Sequence, residues 1–148
     1  MKHLKFLLTV ALGLVCAGAF AQTSLQQAVA PGNKVLIQLA NDEEHPIPDD
    51  EIDDVMAELA AAGAWKSVEE ISEADFILCI EAKKRMVFNS PRTWLTPSVL
   101  DKEGNVLWKG DTYKADATMF NGFRSTSTCI KTVIEKGFQS NLFKKAGR

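Results

Sequence analysis

The stretch from Ala74 to Ala82 is the feature that most restricts how this chain can fold. Its centre reads Phe-Ile-Leu-Cys-Ile, so apolar side chains point to both faces of an extended segment. A strand of this kind belongs in the middle of a sheet that is covered on both faces, or partly covered on its second face. We therefore expect the other elements to surround this strand.

The sequence before this stretch predicts a strand and a helix. The segment Lys34–Ala40 alternates as a half-buried strand does, and Asp49 can cap a helix that extends through Ala62. Gly63 then ends the helix in the C′ position. Five alternating residues, Ala64–Val68, add an optional short strand.

The sequence after it predicts a hairpin and a second helix. Strands over Thr93–Leu100 and Val106–Ala115 flank the loop Asp101–Asn105, and Pro97 predicts an edge position or a bulge. Asn121 can cap the final helix. The apolar face of this helix is predicted to contain Phe123, Ile130, Val133, Ile134, Phe138 and Leu142.

These elements give the order β-α-(β)-β-β-β-α. A right-handed crossover would place both helices on one face of a mixed sheet, so the predicted fold is an α/β (α+β) two-layer sandwich. We expect a single domain over 34–144, preceded by an N-terminal extension at 22–33 and followed by a basic tail at 145–148.

The first 21 residues have the pattern of a secretory signal. Lys2 and Lys5 form a positive start, an apolar run follows, and Ala-Phe-Ala precedes Gln22. This predicts cleavage at Ala21/Gln22 and a periplasmic or secreted product, with an uncleaved anchor as the alternative. Cys16 follows a valine rather than a small residue, which argues against lipid anchoring.

Charge is unevenly distributed along the predicted mature chain. Residues 22–80 contain 13 acidic and 2 basic residues, whereas residues 81–148 contain 6 acidic and 13 basic ones. The two halves either compensate each other on folding or form a bipolar surface that steers a charged partner. A mildly acidic exported domain is not expected to bind nucleic acid.

Two segments carry a family resemblance. They are Glu-Ala-Asp-Phe-Ile-Leu over 73–78 and Ser-Val-Leu-Asp-Lys-Glu-Gly-Asn-Val-Leu-Trp-Lys-Gly over 98–110. Together with the amphipathic helix that follows, they resemble an uncharacterised family of small lipoprotein-like domains in Gram-negative envelopes. They are more distantly similar to the N-terminal domain of the translocation protein TolB and to the curli-secretion lipoprotein. The resemblance covers most of 34–143 and implies fold and compartment. No functional residue transfers, and the chain departs from the family in lacking a lipobox.

A basic segment and two tryptophans are the candidate binding residues. Bases surround an apolar tip at Val87 and Phe88 and could contact anionic lipid headgroups or a glycan. The tryptophans lie on neighbouring predicted strands, where they could stack a ligand or pack against each other. The full candidate set is Lys83, Lys84, Arg85, Arg92, Trp94 and Trp108.

Two cysteines remain after the predicted cleavage, Cys79 and Cys129. In an oxidising compartment they could form a disulfide if the second helix packs over the central strand. The alternative is two buried free thiols, because Cys79 could face away from that helix.

The sequence contains no set of residues that predicts catalysis, a metal site or a cofactor. His45 is the single histidine after residue 21, and the acids around it do not follow the spacing of a calcium loop. We therefore expect a non-enzymatic envelope binding or assembly-accessory domain, whose partner is an envelope protein or an anionic lipid or glycan. The alternatives are a lipid or glycan carrier that uses the basic segment, and a small hydrolase. The oligomeric state stays open.

Overall fold

A six-stranded mixed sheet forms one layer of the protein, and helices form the other. The computed structural model describes residues 24–148, so the predicted signal segment and its cleavage site lie outside the described residues. The arrangement confirms the predicted two-layer sandwich with the helices on one face.

The strands are β1 (Lys34–Asn41), β2 (Lys66–Ser67), β3 (Phe76–Val87), β4 (Ser90–Leu100), β5 (Val106–Lys109) and β6 (Tyr113–Asp116). The helices are α1 (Leu25–Ala28), α2 (Asp49–Gly63) and α3, which runs over 125–145. Helix α3 has an α-helical start (Ser125–Thr132), a π-helical middle (Val133–Leu142) and an α-helical last turn (Phe143–Lys145). Short 3₁₀ turns lie at Ile71–Glu73 and Met119–Asn121.

The sheet has the strand order β2-β1-β3-β4-β5, and β6 pairs with β4 beyond the end of β5. Strand β1 is parallel to both β2 and β3, whereas the β3–β4, β4–β5 and β4–β6 pairs are antiparallel. The stretch that is apolar on both faces forms the first half of β3. Its position between β1 and β4 confirms that it lies inside the sheet.

The main core lies between the sheet and the helices. Alternate residues of β3 point towards α2 and α3, because successive side chains of a strand point to opposite faces. The largest side chains that are fully buried in this layer include Phe76, Leu78, Ile80, Leu59, Leu95, Ile130, Phe138 and Leu142.

Trp65 connects this core to both chain ends. Its ring lies edge-on to Phe76, Phe138 and Phe143, with ring centroids 5.0, 5.7 and 6.1 Å away. Its indole N–H donates a buried hydrogen bond of 2.9 Å to the carbonyl of Val29. The polar atom of this large buried ring is therefore satisfied, as buried polar groups need to be.

Both predicted appendages pack against the domain. Val29, from the predicted N-terminal extension, is fully buried in the core. From the predicted tail, the Arg148 guanidinium donates to the carbonyls of Val29 at 3.0 Å and Gly63 at 3.1 Å. It also lies 4.1 Å from the centroid of the Phe143 ring. Residues on both sides of the predicted 34–144 range therefore pack against the core.

The predicted strand over 106–115 consists of two strands, β5 and β6, which pair with different parts of β4. Between them, the amide of Gly110 donates to the carbonyl of Pro97 at 2.9 Å. Pro97 lies inside the sheet rather than at its outer edge, and the register shift falls between Val99 and Leu100. The backbone of Pro97 faces the gap between β5 and β6, where neither strand pairs with it. The missing N–H of the proline therefore removes no hydrogen bond between strands.

The two predicted helix ends also differ from the structure. Helix α2 includes Gly63, and Ala64 adopts the left-handed conformation that was expected of the glycine, with φ 56°. Helix α3 begins at Ser125 rather than after Asn121. The Asn121 side chain instead accepts from the amide of Thr118 at 2.8 Å, within the turn that precedes the helix.

Candidate functional site

The sheet face opposite the helices carries polar and charged side chains; we call it the open face. On β3 it presents Glu81, Lys83 and Arg85, because Ala82 and Lys84 point to the helices. Glu81 and Arg85 are exposed, and Lys83 is half-buried. At this end of β3 the sheet therefore has one face built for packing and one with accessible side chains, whereas Ile77, at the start of β3, is buried on the second face.

Strand pairing brings a basic–aromatic cluster together on the open face. Lys83 lies opposite Trp94, and Arg85 lies opposite Arg92 in the β3–β4 ladder. On the other side of β4, Trp94 pairs with Lys114 of β6. Directly opposed residues on one face of a sheet have their Cβ atoms about 5 Å apart, so these five side chains are neighbours.

Trp94 is the centre of this cluster. The guanidinium carbons of Arg85 and Arg92 lie 5.6 and 5.8 Å from the centroid of its ring, within the range of cation–π attraction. The Arg92 guanidinium also forms a two-pronged ion pair with Asp116, whose second contact, Nη2 to Oδ2, is 3.0 Å. This hydrogen bonding lowers the pKa of Asp116 below its usual range.

A cleft of about 520 Å³ opens beside Trp94 on this face. Its wall contains two bases and two acids, together with hydroxyl groups and an aromatic ring. The lining residues are Ala40, Asp42, Glu81, Ala82, Lys83, Arg85, Trp94, Thr96 and Thr112. The two threonine hydroxyls are hydrogen-bonded to each other at 2.8 Å. The cleft therefore offers both donors and acceptors around one flat apolar surface.

Of the six predicted binding residues, the structure brings four together: Lys83, Arg85, Arg92 and Trp94. It does not bring Lys84 or Trp108 to them. The Lys84 ammonium points to the helix layer, where it lies 2.7 and 2.9 Å from the two carboxylate oxygens of Glu51.

Trp108 is buried on the helix side, and its indole N–H donates to Asn141 at 3.2 Å. It lies opposite Val99 in the sheet, whereas Trp94 points to the other face. The two tryptophans consequently neither stack on one ligand nor pack against each other.

Sequence reasoning missed Lys114, Glu81 and Thr96, because only the strand register places them next to Trp94.

A buried hydroxyl cluster lies on the opposite side of the sheet. The Thr93 hydroxyl is 2.9 Å from that of Ser125 and 3.1 Å from that of Thr126. The Thr126 hydroxyl in turn bonds the carboxylate of Glu51, which also binds Lys84. The Ser125 hydroxyl bonds Thr93 rather than an imidazole, so this network has the geometry of a structural brace between α2, α3 and the sheet.

Of the two alternatives for the cysteines, the structure agrees with free thiols, because Cys79 and Cys129 are unbridged and lie on opposite sides of the sheet. Cys129 belongs to the core under α3, and its thiol donates to the carbonyl of Tyr113 at 3.3 Å. Cys79 alternates with the core residues Leu78 and Ile80, so it points to the open face. Burial raises the pKa of the Cys129 thiol to about 12 and raises that of Cys79 as well.

His45 lies half-exposed in the loop between β1 and α2. Its backbone amide donates to the Asp42 carboxylate at 2.8 Å, which orders the loop. Across residues 24–148, no three His, Cys, Asp or Glu side chains converge as metal ligands would. Over the same residues, no helix has the length and apolar character needed to cross a membrane.

Comparison with known proteins finds likeness in structure and none in sequence. No protein-family model and no curated protein matches the chain. The PelC dodecamer from Paraburkholderia phytofirmans matches with a TM-score of 0.52 and 18% identity, over 78% of this chain and 90% of that one. An uncharacterised lipoprotein B from Nitrosomonas europaea matches with a TM-score of 0.52 and 11% identity, over 86% and 96% of the two chains.

At these identities the likeness establishes a shared fold. The fold is that of a solved bacterial lipoprotein and of PelC, which agrees with the envelope family that the sequence resembles. The more distant similarity to TolB and to the curli-secretion lipoprotein stays a prediction.

Proposed function

We propose that this chain is a non-enzymatic binding domain of the bacterial cell envelope and that the open-face cleft holds a saccharide. The observation that carries the proposal is the position of Trp94. It lies half-buried beside Lys83, Arg85 and Glu81 in an accessible cleft, on a sheet face that contributes little to the core. A tryptophan that served only packing would be expected among the helices, as Trp65 is.

The lining of the cleft matches the chemistry of a sugar. The apolar face of a pyranose ring can stack on an indole ring, and its hydroxyls can donate to carboxylates while accepting from ammonium or guanidinium groups. The cleft supplies each of these groups: Trp94 as the platform, Asp42 and Glu81 as acceptors, and Lys83 and Arg85 as donors. The two bases would favour a sugar that carries a carboxylate or phosphate substituent.

Trp94 fluorescence provides a direct assay, because Trp65 and Trp108 are buried and respond little to solvent. Titration with acidic, neutral and amino oligosaccharides should change the emission of the protein, most strongly for the acidic series. Trp94→Ala lacks this reporter, so its affinity is measured by isothermal titration calorimetry beside that of the unaltered protein; it should bind about tenfold more weakly, which corresponds to one aromatic stacking interaction. Trp108→Phe, on the opposite face, is the matched control and should leave affinity unchanged. Equal binding by Trp94→Ala and the unaltered protein would refute the cleft.

The absence of an enzyme activity is part of this proposal and is separately testable. A reproducible hydrolytic activity that is lost in His45→Ala would instead support a small hydrolase. No such change is expected, because His45 lies in a loop ordered by Asp42 and its imidazole serves no nucleophile in the described hydrogen-bond network.

The location in the envelope rests on the signal-like segment and on the fold shared with a lipoprotein. The valine before Cys16 argues against a lipid anchor, whereas the fold shared with a lipoprotein favours one. Intact mass of the protein isolated from cells separates the two forms. Cleavage at Ala21/Gln22 gives a chain that begins at Gln22, and lipidation gives one that begins at an acylated Cys16.

Self-assembly is a second candidate function, favoured by the fold shared with the PelC dodecamer and by the charge distribution. The exposed acids of α2, such as Asp50 and Asp54, lie in the helix layer, whereas Lys83 and Arg85 lie on the open face. Contact between opposite faces of two copies is a head-to-tail interface, which closes into rings when the rotation permits.

Native mass spectrometry at low and high salt tests this assembly. We expect oligomers that dissociate as salt rises, because the contact would be electrostatic. Arg85→Glu and Asp54→Lys should each weaken assembly, and mixing the two variants should restore one complementary interface. A monomer at all salt concentrations would refute self-assembly and leave the saccharide cleft unaffected.

A further inference from the structure

Exposed apolar side chains concentrate at one end of the sheet. Seven large apolar side chains are exposed in residues 24–148, and five of them lie at the end of β3, in the β3–β4 turn or in the loop that follows β6. We call this group the apex; it consists of Met86, Phe88, Met119, Phe120 and Phe123. The remaining two, Ile71 and Val106, lie at the opposite end of the sheet.

The two parts of the apex are held together by the sheet. The Ser90 hydroxyl donates to the carbonyl of Ala117 at 2.7 Å, and the amide of Ala117 donates to the carbonyl of Pro91 at 2.8 Å. The turn at Phe88 and the loop at Phe120 are thereby fixed side by side. Apolar tips from two chain segments consequently point away from the same end of the domain.

The folded domain gains little from these phenylalanines. Phe88 and Phe120 are each 99% exposed, and Phe123 is 66% exposed. Phe88 and Phe123 also have φ angles of 50° and 61°, a left-handed backbone that bulky residues rarely adopt. Since neither burial nor backbone preference favours phenylalanine at these positions, the side chains are better explained by something that contacts them from outside.

The open-face side of the apex is basic. The two segments that carry it, 83–92 and 113–124, contain six basic residues and one acid, and the acid, Asp116, is paired with Arg92. Arg85, Lys114 and Arg124 are exposed. On the helix side, Phe123 and Arg124 line a cleft with Glu51, Asp54 and Glu58, and Lys84 is paired with Glu51. The basic side of the apex is therefore the open face, which carries Arg85 and Lys114.

We infer that the apex docks on an anionic lipid surface, with the phenylalanines in the interface and the open-face bases against the headgroups. Separate protruding tips fit a deformable lipid interface, whereas a protein partner requires a continuous complementary patch. Each basic residue that reaches the surface of an anionic leaflet strengthens binding about fivefold. This inference does not depend on the saccharide proposed for the cleft.

Flotation of the purified protein with vesicles tests the docking. The protein should float with vesicles of phosphatidylcholine and phosphatidylglycerol and much less with phosphatidylcholine alone. Changing Phe88, Phe120 and Phe123 together to serine should weaken binding by about tenfold per side chain. The matched control changes Ile71 and Val106 to serine at the opposite end and should bind as the unaltered protein does.

Three outcomes would overturn the inference: no binding of the unaltered protein, equal loss in the control, or full binding by the triple serine variant. An oligomer that the triple variant loses, without vesicle binding, would assign the apex to a second copy instead. The serine variants are expected to fold, because the changed side chains are exposed, and far-ultraviolet circular dichroism checks this. Trp94→Ala separates the two proposals, since it should lose saccharide and keep vesicle binding.

Discussion

Replacing Gly63 by alanine tests the packing of Trp65, which connects the chain ends to the core. In a helix this substitution normally stabilises a protein by about 1 kcal/mol, because alanine has the higher helix propensity. Gly63 is the last residue of α2, and a Cβ added there would overlap three carbons of the Trp65 indole. We therefore expect the opposite sign.

The expected loss of stability follows from the packing and the hydrogen bond that the Trp65 indole loses when it moves. Overpacking a well-filled core costs about 1–3 kcal/mol. Moving the ring also endangers its 2.9 Å hydrogen bond to Val29, and a buried donor left without a partner costs about 1–3 kcal/mol. After the propensity gain, the net loss from Gly63→Ala is about 3 kcal/mol, which lowers Tm by roughly 10 °C for a domain of this size.

Urea unfolding followed by circular dichroism measures this loss. Ala61→Gly, at an exposed position of the same helix, is the control for propensity and should destabilise by about 1 kcal/mol. In a Trp65→Leu background, Gly63→Ala should no longer destabilise, because the overlap is removed. If Gly63→Ala is as stable as the unaltered protein, or if its effect persists without the indole, the reasoning is wrong.

The remaining predictions concern single groups. Iodoacetamide should label the half-exposed Cys79 before Cys129, whose pKa of about 12 and burial protect it until the protein unfolds; intact mass should be the same with and without reductant. Arg92→Gln should raise the pKa of Asp116 in an NMR titration, because it removes the guanidinium that hydrogen-bonds the carboxylate. The pair contributes stability above the ordinary carboxyl pKa of about 4, and this stability is lost as pH falls below it. Glu51→Ala should lower the free energy of unfolding by about 1–3 kcal/mol, since it leaves the ammonium of Lys84 without its acceptor and removes one of the two hydroxyl partners of Thr126.

Local periodicity accounts for the parts of the fold that could be predicted from sequence. The apolar stretch of β3 reports burial directly, and it correctly indicated a strand with neighbours on both sides. The division into β5 and β6 could not be predicted in this way. It depends on the contact of Gly110 with Pro97, which are distant in sequence and meet only once the sheet forms. The helical spacing predicts Phe123 on the apolar face of the final helix. This helix begins only at Ser125, so Phe123 lies in the loop before it and is exposed.

The alternation of side chains between the two faces of a strand would have corrected the predicted binding site. Lys83 and Lys84 are adjacent, so a strand must place them on opposite faces, and only Lys83 can join Trp94. The same rule separates Cys79 from the core residues beside it, and so from Cys129. Proximity in sequence was a poor guide to proximity on the sheet. The pairing of Trp94 with Lys114, in contrast, required the register of a strand that the sequence did not resolve.

The structure also decides between the two interpretations of the uneven charge. Among the described residues two ion pairs form, and only the Lys84–Glu51 pair joins the acidic N-terminal half to the basic C-terminal half. Most of the acids of α2 stay exposed in the helix layer, while Arg85 and Lys114 stay exposed on the open face. This separation favours the bipolar interpretation, with exposed bases on the side of the sheet that carries Trp94. Association from that side must weaken with salt, because exposed charges of this kind are screened over about 10 Å.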